Sequence, residues 1–130
     1  MFGNLNLQQY IFGNIKMPQF DLQKHDLRSL NRILQDQKKE IKEISWEVIN
    51  PKGSHAIAVG IDAPIEVIIS GSTGYYCGGM NQHANITVKG SVGPGVAENM
   101  MSGKVVIEGD ASQYAGATGQ GGLLVIKGNA

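Results

Sequence analysis

The 130-residue chain balances 11 basic against 11 acidic side chains, for no formal net charge and a sequence pI of about 6.8. That length points to one domain and that balance excludes the basic stripe of a nucleic-acid binder or a polybasic membrane patch; no apolar run approaches the roughly 18 residues that cross a bilayer. A single cysteine, Cys77, excludes an internal disulfide framework, and without a basic-then-apolar leader the chain is expected in the cytoplasm, with neither nucleic acid nor membrane as a partner.

Residues 1–20 read as an N-terminal extension. The first 16 are Asn- and Gln-rich, carry Phe2, Tyr10 and Phe12 without periodicity, and precede an alternative start at Met17. Residues 21–50 read as a helical cap segment. Asp26 is an N-cap type, and Leu27, Leu30, Leu34 and Ile41 recur on one helical face with Ile33 beside it. The charged run from Lys38 to Glu43 is a solvated face. This helix either caps the open end of an array, which such arrays need, or docks on a partner, and the cap is the favoured use. Trp46–Ile49 and Ala56–Gly60 read as strands off any strict register, forming an irregular first rung. Between them the tetrapeptide Asn50-Pro51-Lys52-Gly53 is a turn signal. Composition changes there: residues 1–54 hold 14 of the 22 charged side chains but 3 of the 18 glycines.

Residues 51–130 carry a repeat. Glu66–Gly71, Asn85–Gly90, Lys104–Gly109 and Leu123–Gly128 share one pattern, and their closing glycines, Gly71, Gly90, Gly109 and Gly128, recur every 19 residues. Four before each glycine stand Val67, Ile86, Val105 and Leu124; two before it stand Ile69, Val88, Ile107 and Ile126. This alternation marks a strand with one buried face. Columns continue past the glycines. Thr73, Val92 and Ala111 stay small, as do Cys77, Val96 and Ala115, and Gly78, Ala97 and Gly116. The expected fold is therefore all-β: a right-handed parallel β-solenoid of 19-residue rungs with a short N-terminal helix. Glycines mark its corners, by positive φ or by close backbone approach.

Candidate chemistry is sparse. Gly93-Pro94-Gly95 and Gly116–Gly122 have phosphate-loop spacings, but each runs toward another strand where a phosphate loop needs a helix. Cys77 sits in the small column and reads as core. His25, His55 and His83 lack a metal-ligand spacing. Ser72, Ser91, Asp110 and Asn129 form a polar column that reads as a ladder capping backbone groups. Glu98 and Asn99 break the pattern of their columns, and Tyr76 and Tyr114 share one. Tyr75, Tyr76, Glu98, Asn99 and Tyr114 are the candidate interaction surface. No residue is expected to be catalytic, to bind a cofactor or to hold a metal.

Several loops resemble a known family. His55–Gly60, Gly74–Asn81, Gly93–Gly103, Ser112–Gly119 and Gly121–Gly128 are similar to the GXGXG-type β-helix domain of glutamate synthase large subunits. The nearest likeness is the stand-alone glutamate-synthase-like subunit of the N-methylglutamate synthase type, whose N-terminal segment the stretch Leu30–Leu34 also resembles. The resemblance spans about residues 18–130. It implies a non-catalytic scaffold beside a glutamine amidotransferase subunit and an FMN-binding glutamate-synthase-like subunit, with FMN and an iron–sulfur cluster in those partners and no cofactor on this chain. A scaffold of the formylmethanofuran dehydrogenase type, which carries a related solenoid, is one alternative, and an independent small-ligand-binding β-helix is the other. The related domains run for more rungs, so the unfinished rung at Gly128–Ala130 predicts a C-terminal truncation or a partner covering that end.

Overall fold

The computed structural model describes the backbone of residues 8–12 and 15–130, and side chains from Met17 onward. Seven strands form one sheet in chain order: β1 (Gln8–Phe12), β2 (Ile15–Asp21), β3 (Ser45–Ile49), β4 (Glu66–Ser70), β5 (Asn85–Val88), β6 (Lys104–Ile107) and β7 (Leu123–Ile126). β1 and β2 pair antiparallel, and every later pair is parallel. Parallel neighbours joined in sequence order, each by a chain segment that returns to the same edge, make a β-solenoid.

The 19-residue register holds from β4 onward: Val67 pairs with Ile86, Ile86 with Val105, and Val105 with Leu124. Val67, Ile69, Ile86, Val88, Val105 and Ile107 are buried inside the coil. Each such side chain contributes about 1.5–3 kcal/mol of apolar burial. The rung before them is longer, with Trp46 paired to Val67, 21 positions on. Trp46–Ile49 is thus the irregular rung strand expected. Ala56–Gly60 is not a strand: Ala56, Ala58 and Gly60 have φ of 55°, 59° and 71°, which extended backbone cannot accommodate.

The sheet also begins before residue 51. Its first parallel strand, β2, lies in the segment read as an extension, and β3 in the segment read as a helical cap. The helix α1 (Leu27–Asp36) connects these two strands. Asp26 caps it, its carboxylate accepting from Ser29 N at 2.8 Å. Leu30, Ile33 and Leu34 enter the common core. Ile41 does not lie on the helix. Gln37 ends it, donating from Nε2 to Ile33 O at 3.0 Å and accepting from Lys42 N at 2.8 Å, and Ile41 is left exposed. α1 stands where later rungs place their glycine loops, and it clips onto the first of them. Asn31 Nδ2 donates to Ala56 O at 2.8 Å, its Oδ1 accepts from Val59 N at 3.2 Å, and Gln35 Nε2 donates to Val59 O at 2.8 Å. The helix thereby closes that end of the core.

Rungs stack through their corners as well. Ser91 N donates to Ser72 Oγ at 3.1 Å, Asp110 N to Ser91 Oγ at 3.0 Å, and Asn129 N to Asp110 Oδ1 at 2.8 Å. The polar column is the backbone-capping ladder its residue types implied. Beside it three of the four rung glycines, Gly90, Gly109 and Gly128, serve close approach and not unusual φ. A Cβ at Gly90 would lie 2.6 Å from Gly71 C and O, and one at Gly109 2.7 Å from Gly90 O. At Gly128 it would lie 2.5 Å from Gly109 O. Gly71 differs: its φ of 138° is itself restricted to glycine, and Pro51 packs against it.

Candidate binding groove

Opposite the sheet, each rung turns through five residues of alternating hand. Residues 56, 58 and 60, then 76, 78 and 80, 95, 97 and 99, and 114, 116 and 118 all have φ between 54° and 75°. Eight of these twelve are not glycine, and a left-handed residue with a side chain costs about 1–2 kcal/mol. Interlocked backbone bonds hold them there. Tyr76 N donates down to Pro94 O at 2.8 Å, Gly78 N up to Ile57 O at 2.9 Å, and Met80 N down to Glu98 O at 2.8 Å. The next rung repeats the scheme from Gly95 N to Gln113 O, Ala97 N to Cys77 O and Asn99 N to Ala117 O. Ile57, Cys77 and Val96, between the left-handed positions, point into the core.

The same spiral sends the first left-handed residue of each rung outward. After Ala56, that column reads Tyr76, Gly95 and Tyr114. With Tyr75, Pro94 and Glu98 these residues line a groove of about 310 Å³. Four of the five residues expected to form an interaction surface therefore come together. Tyr75 and Tyr114 are 53% and 69% exposed, enough to offer ring faces to a partner. Asn99 stands behind the wall: its Nδ2 donates to Tyr76 Oη at 3.4 Å, and its Oδ1 accepts from Thr118 Oγ1. Tyr76 lies across Gly79, where a Cβ would come within 2.6 Å of the ring. The Glu98 carboxylate reaches over Gly95 and has no hydrogen-bonding or ionic partner among the described residues.

His55 belongs to this site, and its sequence position does not reveal it. Its ring stacks on Tyr75 with centroids 3.9 Å apart and planes 9° apart, and its Nδ1 accepts from Tyr75 N at 3.0 Å. That acceptance makes Nε2 the protonated nitrogen of the neutral ring. A 19-residue alignment places His55 opposite Gly74, one residue off, because this rung carries extra residues. Pro94 and Gly95 show in sequence as a phosphate-loop spacing and as part of the family-like loop Gly93–Gly103, and they form the rim and floor of the groove.

The remaining candidates fall outside it. Burial pushes the Cys77 thiol up to about 12. Such a side chain is neither a nucleophile nor a thiolate ligand at neutral pH. Among the described residues no three His, Cys, Asp or Glu side chains gather as a metal site requires. His83 joins a surface cluster instead. Asp62 accepts from Lys38 Nζ at 3.1 Å and contacts His83 Nδ1 at 3.0 Å. The Lys38 ammonium first, then His83, hold its carboxyl below the ordinary value of 3.8. This surface cluster links Lys38, just past α1, to Asp62 and through it to His83 on the next rung.

Comparison with known proteins gives one anchor. The chain is 66% identical over 91 residues to Protein GlxC of Rhizobium meliloti (strain 1021). The match takes in 70% of this chain and 40% of that protein, so the chain spans about two fifths of the curated relative's length. No family model and no solved structure matches. Among the described residues no helix is long and apolar enough to cross a membrane.

Proposed function

We propose that the chain is a non-catalytic scaffold domain of a glutamate-synthase-type assembly. It would hold a glutamine amidotransferase subunit and a flavin-binding synthase subunit in register, with glutamate or N-methylglutamate formed by the partners. The observation that carries this reading is where the motif residues go. The loops that resemble the glutamate synthase domain, Gly74–Asn81 and Gly93–Gly103, are the left-handed spirals that lock rung to rung. Gly74, Gly79, Gly93, Gly103 and Cys77 in them are consumed in packing, and what the loops present outward is a face of tyrosines with one carboxylate. Such a face fits recognition of another protein, since tyrosine offers rigid contact area and a polar tip. The long stretch shared with Protein GlxC supports a common ancestry for this body. An iron–sulfur cluster, which needs several thiolates, would reside with the flavin in the partner subunits, since this chain's one cysteine is buried.

Affinity purification of the tagged chain from cells expressing all candidate subunits tests the reading. Recovery with both subunits, and loss of glutamine-dependent synthase activity when the chain is omitted, is the expected result. Partners that assemble and turn over equally well without it would refute the scaffold role.

A further inference from the structure

Gly95 is the position in the groove that the backbone does not explain. Its φ of 75° resembles the 60° and 62° of Tyr76 and Tyr114, its neighbours in the same column one rung either side. Those two positions carry full aromatic side chains in that conformation. Nor is close approach the reason, as it is for Gly90 or Gly109. A Cβ on Gly95 would meet nothing nearer than Glu98 Oε1 at 3.4 Å, an ordinary contact. Gly95 is itself buried, and what glycine does here is keep the groove floor between Tyr76 and Tyr114 free of a side chain. With rungs about 4.8 Å apart, those residues are separated by about 9.5 Å of backbone. The groove of about 310 Å³ over Gly95 has room for one inserted side chain.

The chemistry of the groove selects what enters. Tyr76 and Tyr114 flank it, Tyr75 extends one wall, and the Glu98 carboxylate overhangs the floor without a cationic partner among the described residues. Aromatic faces attract cations, guanidinium more often than ammonium, and a carboxylate adds charge complementarity. One wall is already fixed, while Tyr114 on the other flank is 69% exposed. His55 stacks behind Tyr75, and Asn99 holds the Tyr76 hydroxyl. Little side-chain freedom is lost on that wall on binding, which favours affinity.

We propose that this groove receives an arginine side chain of a partner subunit, inserted over Gly95 between Tyr76 and Tyr114 and paired with Glu98. The identity of the partner rests on the scaffold reading; the cation site itself does not.

Two measurements separate the two. First, the isolated chain is titrated with N-acetyl-arginine amide while the tyrosine ring signals are followed by NMR. The expected result is perturbation of Tyr76 and Tyr114, with Glu98→Gln weakening binding about fivefold and Gly95→Tyr, which its column neighbours show the backbone can hold, abolishing it. Equal binding of the neutral N-acetyl-norleucine amide, stronger binding of a proline-rich peptide, tighter binding of tetramethylammonium, or unchanged binding by the folded Gly95→Tyr chain would each overturn the proposal. Second, Gly95→Tyr is carried into the co-purification, where loss of an arginine anchor weakens partner recovery by about tenfold or more. Undiminished recovery sinks the groove as the docking point and leaves the scaffold reading standing. A wild-type chain that binds the arginine probe but recovers no synthase subunits sinks the scaffold reading and leaves the cation site.

Discussion

Gly90→Ala isolates the close-packing argument. Its new methyl would sit 2.6 Å from the carbonyl carbon and oxygen of Gly71 and 2.8 Å from Ser72 N. All three are backbone atoms, so the rungs must part by about 0.5–1 Å to restore ordinary contact. The bonds that cross there are Lys89 N to Ile69 O at 2.8 Å, Thr73 N to Ser91 O at 3.0 Å and Ser91 N to Ser72 Oγ at 3.1 Å. Overpacking costs about 1–3 kcal/mol, and each weakened bond up to about 0.5–1.5 kcal/mol. The expected loss is about 2–5 kcal/mol. Gly95→Ala is the control: it adds the same methyl at a left-handed position with nothing closer than 3.4 Å, and costs about 1–2 kcal/mol. Urea unfolding followed by the fluorescence of Trp46, the only tryptophan and buried, reports both. Gly90→Ala should unfold at clearly lower urea than Gly95→Ala. Equal midpoints would refute the claim that the glycine column exists for backbone approach.

Cys77 should resist alkylation by iodoacetamide at pH 8 in the native chain and react with one equivalent after denaturation, since burial raises its thiol to about 12; full native labelling would place it outside the core. Asn31→Ala removes both the bond to Ala56 O and the one from Val59 N, for about 1–3 kcal/mol. Hydrogen exchange should show the Val59 amide losing protection first, and an unchanged rate there would break the link between helix and first loop. Asp62 has a folded pKa below its unfolded value of 3.8, through Lys38 and then His83. Its contribution is therefore complete above 3.8 and disappears as pH falls below that value toward the folded pKa. Asp62→Asn should flatten this acid limb, and an unaltered limb would mean the contacts are idle in solution.

The strict part of the fold is open to sequence reading because one side-chain alternation and one glycine recur without slippage from Glu66 to Gly128. Upstream the logic fails for physical reasons. β2 contains Pro18, which lacks a ladder donor, and polar Gln19, so it does not look like a strand in the middle of a sheet. The apolar run Ala56–Gly60 imitates a strand, yet its alternation comes from left-handed residues at every second position. That conformation leaves no mark in hydropathy. The groove is half visible: Tyr76 and Tyr114 share a column, but His55 is displaced by the longer rung, and Gly95 looks like one more turn glycine among many.

The helix closes one end of the core, whereas the other is drawn thinner: Leu124 and Ile126 are only half-buried and Leu123 lies in the open. From β4 to β7 each rung repeats the same bonds to its neighbour. Duplicating residues 85–103 would therefore add one more layer, about 4.8 Å, with every column still in phase and both ends unchanged. Such a body works as a ruler graduated in rungs: the separation of anything held at two points along it is set by a whole number of repeats.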